Sequence, residues 1–293
     1  VFKKIKMIVT RCAPSPTGHL HAGHAYAARF AYHMSHQQGH MCLRIDDLDQ
    51  TRSHDHFVRS ILDDLDWLQI HWKNPLMYQS KCSELYQDAI KQLQRQHLLY
   101  PCFCTRKQIK QDPLYQQFQS APHNTTNIAA ELFSFYPGTC KKMTNHQRRQ
   151  KLDQTPEFAL RLDLEKATET AGDLYFYELG KGPQKVNLKN ASDPILARKN
   201  IGTAYHLSVV IDDYLQNVNH VTRAEDLAPY THLHRLLQHL LKIPDPLWCH
   251  HRIICDHDGK RLSKRDNAFN LSEWRKQHKT PDALWQFLQI ESF

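Results

Sequence analysis

The sequence predicts an α/β fold, a parallel sheet covered by helices on both faces and interrupted by a long insertion. Three observations predict it. Short β-branched runs alternate with amphipathic stretches of helical length from the start of the chain. That alternation stops at residue 102, and it resumes after about residue 190. The 293 residues, 41% apolar and 23% charged, can bury a sizeable core. No apolar run approaches the roughly 18 residues that a spanning helix needs, so no membrane partner is expected.

Ile5-Lys-Met-Ile-Val9 reads as the first strand, followed by the breaker cluster Pro14-Ser-Pro-Thr-Gly18 and a helix from Ala22 to Gln38 that Gly39 closes. Met41 to Ile45 reads as the second strand. After Ser53, Phe57, Ile61, Leu65 and Leu68 fall at helical spacing, and Leu85, Ala89 and Leu93 mark a further helix from Ser83 to His97 that leads into Leu99-Tyr-Pro-Cys. Within the insertion only Phe158 to Leu162 is strand-like. Beyond it Tyr205 to Ile211 and Val218 to Val221 read as strands and Pro229 to Leu241 as a helix. Trp248 to Cys255 then reads as a strand, Asp256-His-Asp-Gly259 as a tight turn, and the remainder as a basic loop with one or two short helices. The resulting division is a split catalytic unit (1-101 and 191-241), an inserted region (102-190) and a C-terminal portion (242-293).

The formal charge is +8, from 38 basic against 30 acidic side chains, which suits a polyanionic partner. Much of the excess is local. Between Thr105 and Lys151 eight cations (Arg106, Lys107, Lys110, Lys141, Lys142, Arg148, Arg149 and Lys151) face only Asp112 and Glu131. Eight scattered cysteines are too sparse for a disulfide scaffold and imply a reducing compartment, where thiols become candidate metal ligands. The N-terminal stretch is basic but lacks the apolar run of a secretory signal, so a cytoplasmic location is expected.

No G-x-G-x-x-G occurs. Gly18 and Gly23 have the separation of a phosphate loop, but His24-Ala25 stands where Lys-Ser/Thr would be. What stands there delivers His21 and His24, with Gly23 between them, to the first turn of a helix whose amides and dipole attract phosphate. Near the other end, Gly259-Lys-Arg-Leu-Ser-Lys264-Arg265 offers four cations and a hydroxyl on a loop, enough to neutralise a leaving pyrophosphate.

Pro14 to His24 and Arg261-Leu-Ser-Lys-Arg265 together resemble the HIGH and KMSKS signatures of class I aminoacyl-tRNA synthetases. Arg11-Cys-Ala-Pro-Ser-Pro-Thr-Gly18, Leu43 to Asp49, Ala204 to Asp213 and Val221 to Leu227 resemble the glutamyl branch, and the likeness covers nearly the whole chain. Only 28 residues follow Arg265, which leaves no room for the anticodon-binding region of a full glutamyl enzyme. In that shortness, and in its Cys-x-Cys with a later Tyr-x-x-x-Cys, the chain is similar to the truncated paralogues that glutamylate queuosine in tRNA(Asp). The resemblance implies a Rossmann-like catalytic domain with a connective insertion, a short stem-contact region, and a ligase that forms glutamyl-adenylate. ATP with Mg2+, L-glutamate and queuosine-containing tRNA(Asp) would be the partners of a monomer.

It also implies roles. His21, His24 and Lys264 would be catalytic, and His21, Gly23, His24, Ser263 and Lys264 would hold ATP. Arg11, Ala13, Ser15, Asp46, Tyr205 and Arg223 would hold glutamate. Chemistry agrees, because two carboxylates call for arginine forks and an ammonium calls for a carboxylate. Asp46 departs from the family's usual Glu, and an alternative reading of Arg44 and Asp47 is a purely structural pair.

Cys102, Cys104, Tyr136 and Cys140 are the implied ligands of one structural zinc. The interval from Cys104 to Tyr136 is longer than this family usually shows. Tyr115 lies nearer the usual spacing, but Gln119 and not Cys follows it, and His123 or His146 could replace the tyrosine. The surrounding cations would then meet phosphate oxygens. Competing readings are a shortened enzyme charging the 3′ end of tRNA(Glu), an adenylyltransferase using the two histidines, and a non-catalytic zinc-stabilised RNA-binding module.

Overall fold

The computed structural model describes residues 7–73, 75–120, 135–155, 157–189, 191–199, 202–254, 270–278 and 280–288. The first strand, β1 (Ile8–Cys12), pairs in parallel with β2 (Gly39–Ile45), Ile8 lying opposite Gly39. A Cβ on Gly39 would sit 1.7 Å from the Ile8 carbonyl oxygen, so the pairing requires glycine there. Between them α1 (Ala22–His36) buries Ala22, Ala25, Ala28 and Ala31, small side chains that let it lie close to the sheet. Thr10 Oγ1 fastens it by donating to the Ala31 carbonyl at 2.8 Å. The chain continues through α2 (Asp55–Trp67) to β3 (Met77–Tyr78), which pairs in parallel with β2.

Next come α3 (Ser83–Arg95) and β4 (Leu99–Cys102), then α4 (Arg106–Gln111), α5 (Pro113–Ser120) and α6 (Asn145–Gln154). β5 (Ala159–Leu162) pairs antiparallel with β4 and with β8 (Ile195–Ala197), forming a separate small sheet. After α7 (Leu164–Ala171), β6 (Tyr175–Glu178) and β7 (Gly182–Lys185) form an antiparallel hairpin. This hairpin comes from the 102-190 stretch, yet β6 pairs in parallel with β10 (Leu247–His251), itself parallel to β9 (His220–Ala224).

β1 and β9 meet at a seam that a side chain helps to bridge. Asn219 N donates to the Val9 carbonyl at 3.1 Å, while Asn219 Oδ1 accepts from Val9 N at 2.9 Å and Nδ2 donates to the Met7 carbonyl at 2.8 Å. The asparagine amide thus serves as a peptide group would. Trp248, Val9, Cys42, Phe176 and Val221 pack together across this region.

Residues 205–211 correct an expectation. They form α8 (Tyr205–Leu215), not a strand, and Leu207 to Asp213 are all buried. A helix surrounded on every side carries a continuous apolar run, which periodicity does not separate from a buried strand. α8 packs with α3, α7 and α9 (Tyr230–Leu241) in a leucine-rich core. α10 (Leu271–Gln277) and α11 (Asp282–Phe287) contribute Leu271, Leu284 and Trp285 to a second core beneath α1 and α2. Among the described residues no helix is long and apolar enough to cross a membrane.

Candidate active site

A cavity of about 310 Å³ opens at the carboxyl ends of β1, β2 and β9. Its position follows the rule for open parallel sheets, in which ligands sit where neighbouring strands diverge. Arg11, Ala13 and Ser15 line it from the end of β1 and the loop beyond. Asp46 follows β2, Arg223 comes from β9, and Tyr205 stands at the first turn of α8. His21, Gly23 and His24 form the rim. Every described residue expected to hold glutamate or nucleotide therefore faces one space. Ser263 and Lys264 lie outside the described residues.

The rim is a helix cap made by imidazoles. His21 Nδ1 accepts from Gly23 N at 3.1 Å, and His24 Nδ1 accepts from the His21 backbone N at 3.2 Å. The rings lie 3.7 Å apart between centroids. With Nδ1 accepting, each ring in its neutral form carries its proton on Nε2, a donor suited to a phosphate oxygen. Gly23 permits this fold-over, because a Cβ there would already be 3.0 Å from His21 Cε1.

Behind the cavity runs a buried chain of alternating charges. Arg11 Nε donates to Asp213 at 3.1 and 3.2 Å, and its Nη1 to the Thr222 carbonyl at 2.8 Å. Arg44 Nη1 donates to the same Asp213 at 2.7 Å and its Nε to Asp46 at 2.7 Å, with Asp212 3.7 Å away. Arg44 is fully buried. Burial works against its charge, but Asp46, Asp213 and Asp212 outweigh it and hold the guanidinium well above its ordinary range. Burial also pushes Asp46 upward despite Arg44, and takes Asp212 to about 6. The alternative of an Arg44–Asp47 pair is not what the structure shows, since Asp47 accepts instead from Ser80 N and Oγ. Asp213 is the member that residue patterns did not single out. It sits 202 positions from Arg11, and in the sequence it appears only as the last residue of the stretch Ala204 to Asp213, with no role attached.

Arg223 is held differently. Its Nε donates to His250 Nε2 at 3.2 Å, Nη1 contacts His234 Nδ1 at 3.2 Å, and Nη2 donates to Thr231 Oγ1. Trp248 lies under the guanidinium at 4.7 Å. Burial lowers Arg223 to about 10.

The second candidate centre is the cysteine cluster. Sγ atoms of Cys102, Cys104 and Cys140 all lie within 4.8 Å of one another, with Cys104 and Cys140 at 3.4 Å. A tetrahedral zinc with bonds of about 2.3 Å spaces its sulfurs by about 3.8 Å, so the three thiols fit such an ion. Tyr136 Oη lies 3.5 Å from Cys102 Sγ and accepts from Cys140 N at 2.8 Å. Hydrogen bonds from the Cys104 and Cys140 thiols, with the Arg161 guanidinium alongside, hold Cys102 well below the usual thiol range. Arg161 Nε donates to Cys102 Sγ at 3.3 Å and stacks 3.7 Å over the Tyr136 ring. Tyr115 instead packs against Phe135, and His123 lies outside the described residues. Most cations flanking the cluster are exposed on α4 and α6, but Lys141 is half-buried and paired with Asp163 at 2.7 Å and Glu165 at 3.2 Å, which removes it from the free basic surface.

A charged cavity at the carboxyl ends of parallel strands, with a histidine-capped helix on its rim, defines an α/β enzyme of the nucleotide-binding kind. Residues 7–292 match the family described as tRNA synthetases class I (E and Q), catalytic domain, and the chain belongs to that family of ligases. It is 42% identical over 282 residues to the glutamyl-Q tRNA(Asp) synthetase of Rhodobacter capsulatus, a match covering 94% of this chain and 97% of that protein. With the glutamate–tRNA ligase of Coprothermobacter proteolyticus it shares 32% identity over 97% of this chain but 58% of that one. In fold it resembles the glutamate–tRNA synthetase structure from Elizabethkingia anophelis, with a TM-score of 0.71 and 23% identity over 89% of this chain and 53% of that one.

Proposed function

We propose that the protein activates L-glutamate with ATP and transfers it to the queuosine base in the anticodon of tRNA(Asp). The observation that carries the amino-acid part is the grouping of Arg11, Asp46 and Arg223 around one cavity whose rim is the His21–His24 cap. Glutamate brings two carboxylates and an ammonium. Arg11 and Arg223 offer forks for the former. Asp46, whose pKa burial raises against the pull of Arg44, presents a carboxylate to the ammonium, whose arrival beside it draws that pKa down again. Tyr205 and the segment from Arg11 to Ser15 complete the contact.

In the first step a glutamate α-carboxylate oxygen attacks the α-phosphorus of ATP, and pyrophosphate leaves. The Nε2–H groups of His21 and His24 follow the charge that develops on the phosphates, with Gly23 allowing close approach, while Mg2+ accompanies ATP. Ser263 and Lys264, on the basic loop, would neutralise the leaving group. In the second step the acyl group passes to the modified base and AMP departs. Zinc held by Cys102, Cys104, Tyr136 and Cys140 would keep the inserted region rigid, and the cations of α4 and α6 would meet tRNA phosphates. The queuosine acceptor is supported by the 42% identity to the glutamyl-Q tRNA(Asp) synthetase of Rhodobacter capsulatus, and the enzyme would work as a monomer.

Glutamate-dependent ATP–pyrophosphate exchange, with and without tRNA, tests the activation step, and labelled glutamate with tRNA(Asp) carrying or lacking queuosine tests the acceptor. Exchange that ignores glutamate under both conditions refutes the reading. Label on the 3′ end of tRNA(Glu) in place of queuosine refutes its acceptor half. Lys264→Ala should lower the exchange rate about 100-fold with little change in glutamate KM, by loss of one charge contact to the transition state.

A further inference from the structure

Arg11 and Arg223 are both buried cations on the cavity wall, but only one of them is neutralised. Arg11 pairs with Asp213, whereas among the described residues no carboxylate lies within 4.0 Å of Arg223. Its three engaged nitrogens meet two imidazoles and a hydroxyl instead. This rests on the reading that Arg223 faces glutamate: we propose that His234, His250 and Thr231 form a neutral collar of positioning residues that fixes the Arg223 fork while leaving its charge unspent for a substrate carboxylate.

Donor arithmetic carries the argument. A guanidinium has five N–H groups and no acceptor, so each partner must offer a lone pair. His250 therefore accepts at Nε2 and keeps its proton on Nδ1, which lies 3.1 Å from Glu178 Oε1. His234 accepts at Nδ1 and keeps its proton on Nε2, which meets His206 Nδ1 at 3.1 Å. Both rings are thereby neutral, each in one tautomer, with Glu178 beside the far nitrogen of His250 and His206 beside that of His234. Glu178 is in turn paired with Lys181 at 2.7 Å. The collar is assembled from β6, β10, α8 and α9, all packed around the β9 residue it serves. His234 and Arg223 are at least nine-tenths buried, as is the His250 side chain. Burial, and then the nearby Arg223 charge, push His234 well down and His250 to about 4, so both stay uncharged near neutrality.

The physical distinction is between holding a cation and quenching it. A carboxylate in the collar would orient Arg223 equally well, but it would also compensate the charge and weaken its pull on the ligand. Neutral acceptors supply the orientation alone. Three donors are committed to the collar, and on the cavity side the guanidinium meets the neutral Tyr205 hydroxyl, again with no carboxylate spent on it.

The isosteric pair His234→Asn and His234→Asp separates the two effects in glutamate-dependent pyrophosphate exchange with tRNA present. Both keep an oxygen near the Nδ1 position. The collar predicts a glutamate KM for H234D at least about tenfold above that of H234N, with the same ATP KM in both and a melting temperature for H234D no lower than for H234N. In the Arg223→Gln background the difference between the two should vanish, which a purely structural role would not produce. Equal glutamate KM values for H234N and H234D overturn the collar while leaving the glutamate assignment intact. An R223Q enzyme with unchanged glutamate KM overturns both. Should either His234 variant fail to fold, Thr231→Asn against Thr231→Asp poses the same contrast from the neighbouring donor and is read the same way.

Discussion

Replacing Asp213 with asparagine tests whether one carboxylate organises the floor of the cavity. Asp213 accepts from Arg11 Nε at 3.1 Å and from Arg44 Nη1 at 2.7 Å, and all three side chains are less than a tenth exposed. Arg44 would keep Asp46 and Asp212, but Arg11 would lose the carboxylate it is paired with. Removing one partner of a buried ion pair costs about 3–5 kcal/mol. Because Arg44 stays compensated and Asn can still accept one hydrogen bond, the lower end applies, about 3 kcal/mol. For a domain of this size each kcal/mol shifts the melting temperature by roughly 2–4 °C, so a drop of about 6–12 °C is expected by circular dichroism. Glutamate KM should rise as well, since Arg11 is no longer held. The exposed pair Arg52–Asp49 provides the contrast, as Asp49→Asn should stay within about 0.5 kcal/mol of the parent. A melting temperature for D213N as high as for D49N would refute the central role given to Asp213.

Gly39→Ala should destabilise the protein by about 3 kcal/mol or more, because the new methyl meets backbone at Ile8 that no rotamer change can clear, and an unchanged urea midpoint would contradict the β1–β2 register. Asp64, buried between α2 and Arg275 of α10, is pushed by burial from 3.8 to about 7, only partly offset by Arg275. A carboxyl raised on folding contributes most below its unfolded value and loses that contribution as pH rises through the folded one. The stability advantage of Asp64→Asn should therefore grow between pH 4 and 7 and level off above, and a pH-independent difference in melting temperature would count against it. Metal analysis should find about one zinc per chain, and Cys104→Ser should lower that content at least tenfold and increase proteolysis within 102-190; a full zinc complement in the variant would remove Cys104 from the ligand set.

The parts of the site that the sequence displayed were those built locally. His21 and His24 were visible because proline and glycine breakers announce a loop and an alanine-rich stretch announces the helix behind it, so their place on the first turn followed from spacing alone. Cys102, Cys104, Tyr136 and Cys140 were visible through resemblance, and the geometry brings them together despite a long intervening segment. Tyr205 shows the opposite case. The run Val209-Val-Ile211 favours a strand there, while burial of Leu207 to Asp213 in the packed helix α8 overrides that preference. Asp213, His234 and His250 act only through partners that the fold delivers from distant segments, Arg11 to Asp213 being 202 residues apart. Nothing periodic in the chain encodes such a meeting. The hairpin of β6 and β7 was missed for a related reason, since its strands are only four residues each and β6 finds its parallel neighbour at residues 247–248.

The asparagine rung at the β1–β9 seam ties the sheet's continuity to an amide that chemistry can change. Hydrolysis of that side chain to aspartate would replace the Nδ2 donor with an oxygen facing the Met7 carbonyl, turning an attraction into a repulsion beside the strand that carries Arg11. Spontaneous deamidation at Asn219 would thus be a form of molecular ageing that loosens the floor of the cavity from its rear edge without altering any side chain that lines it.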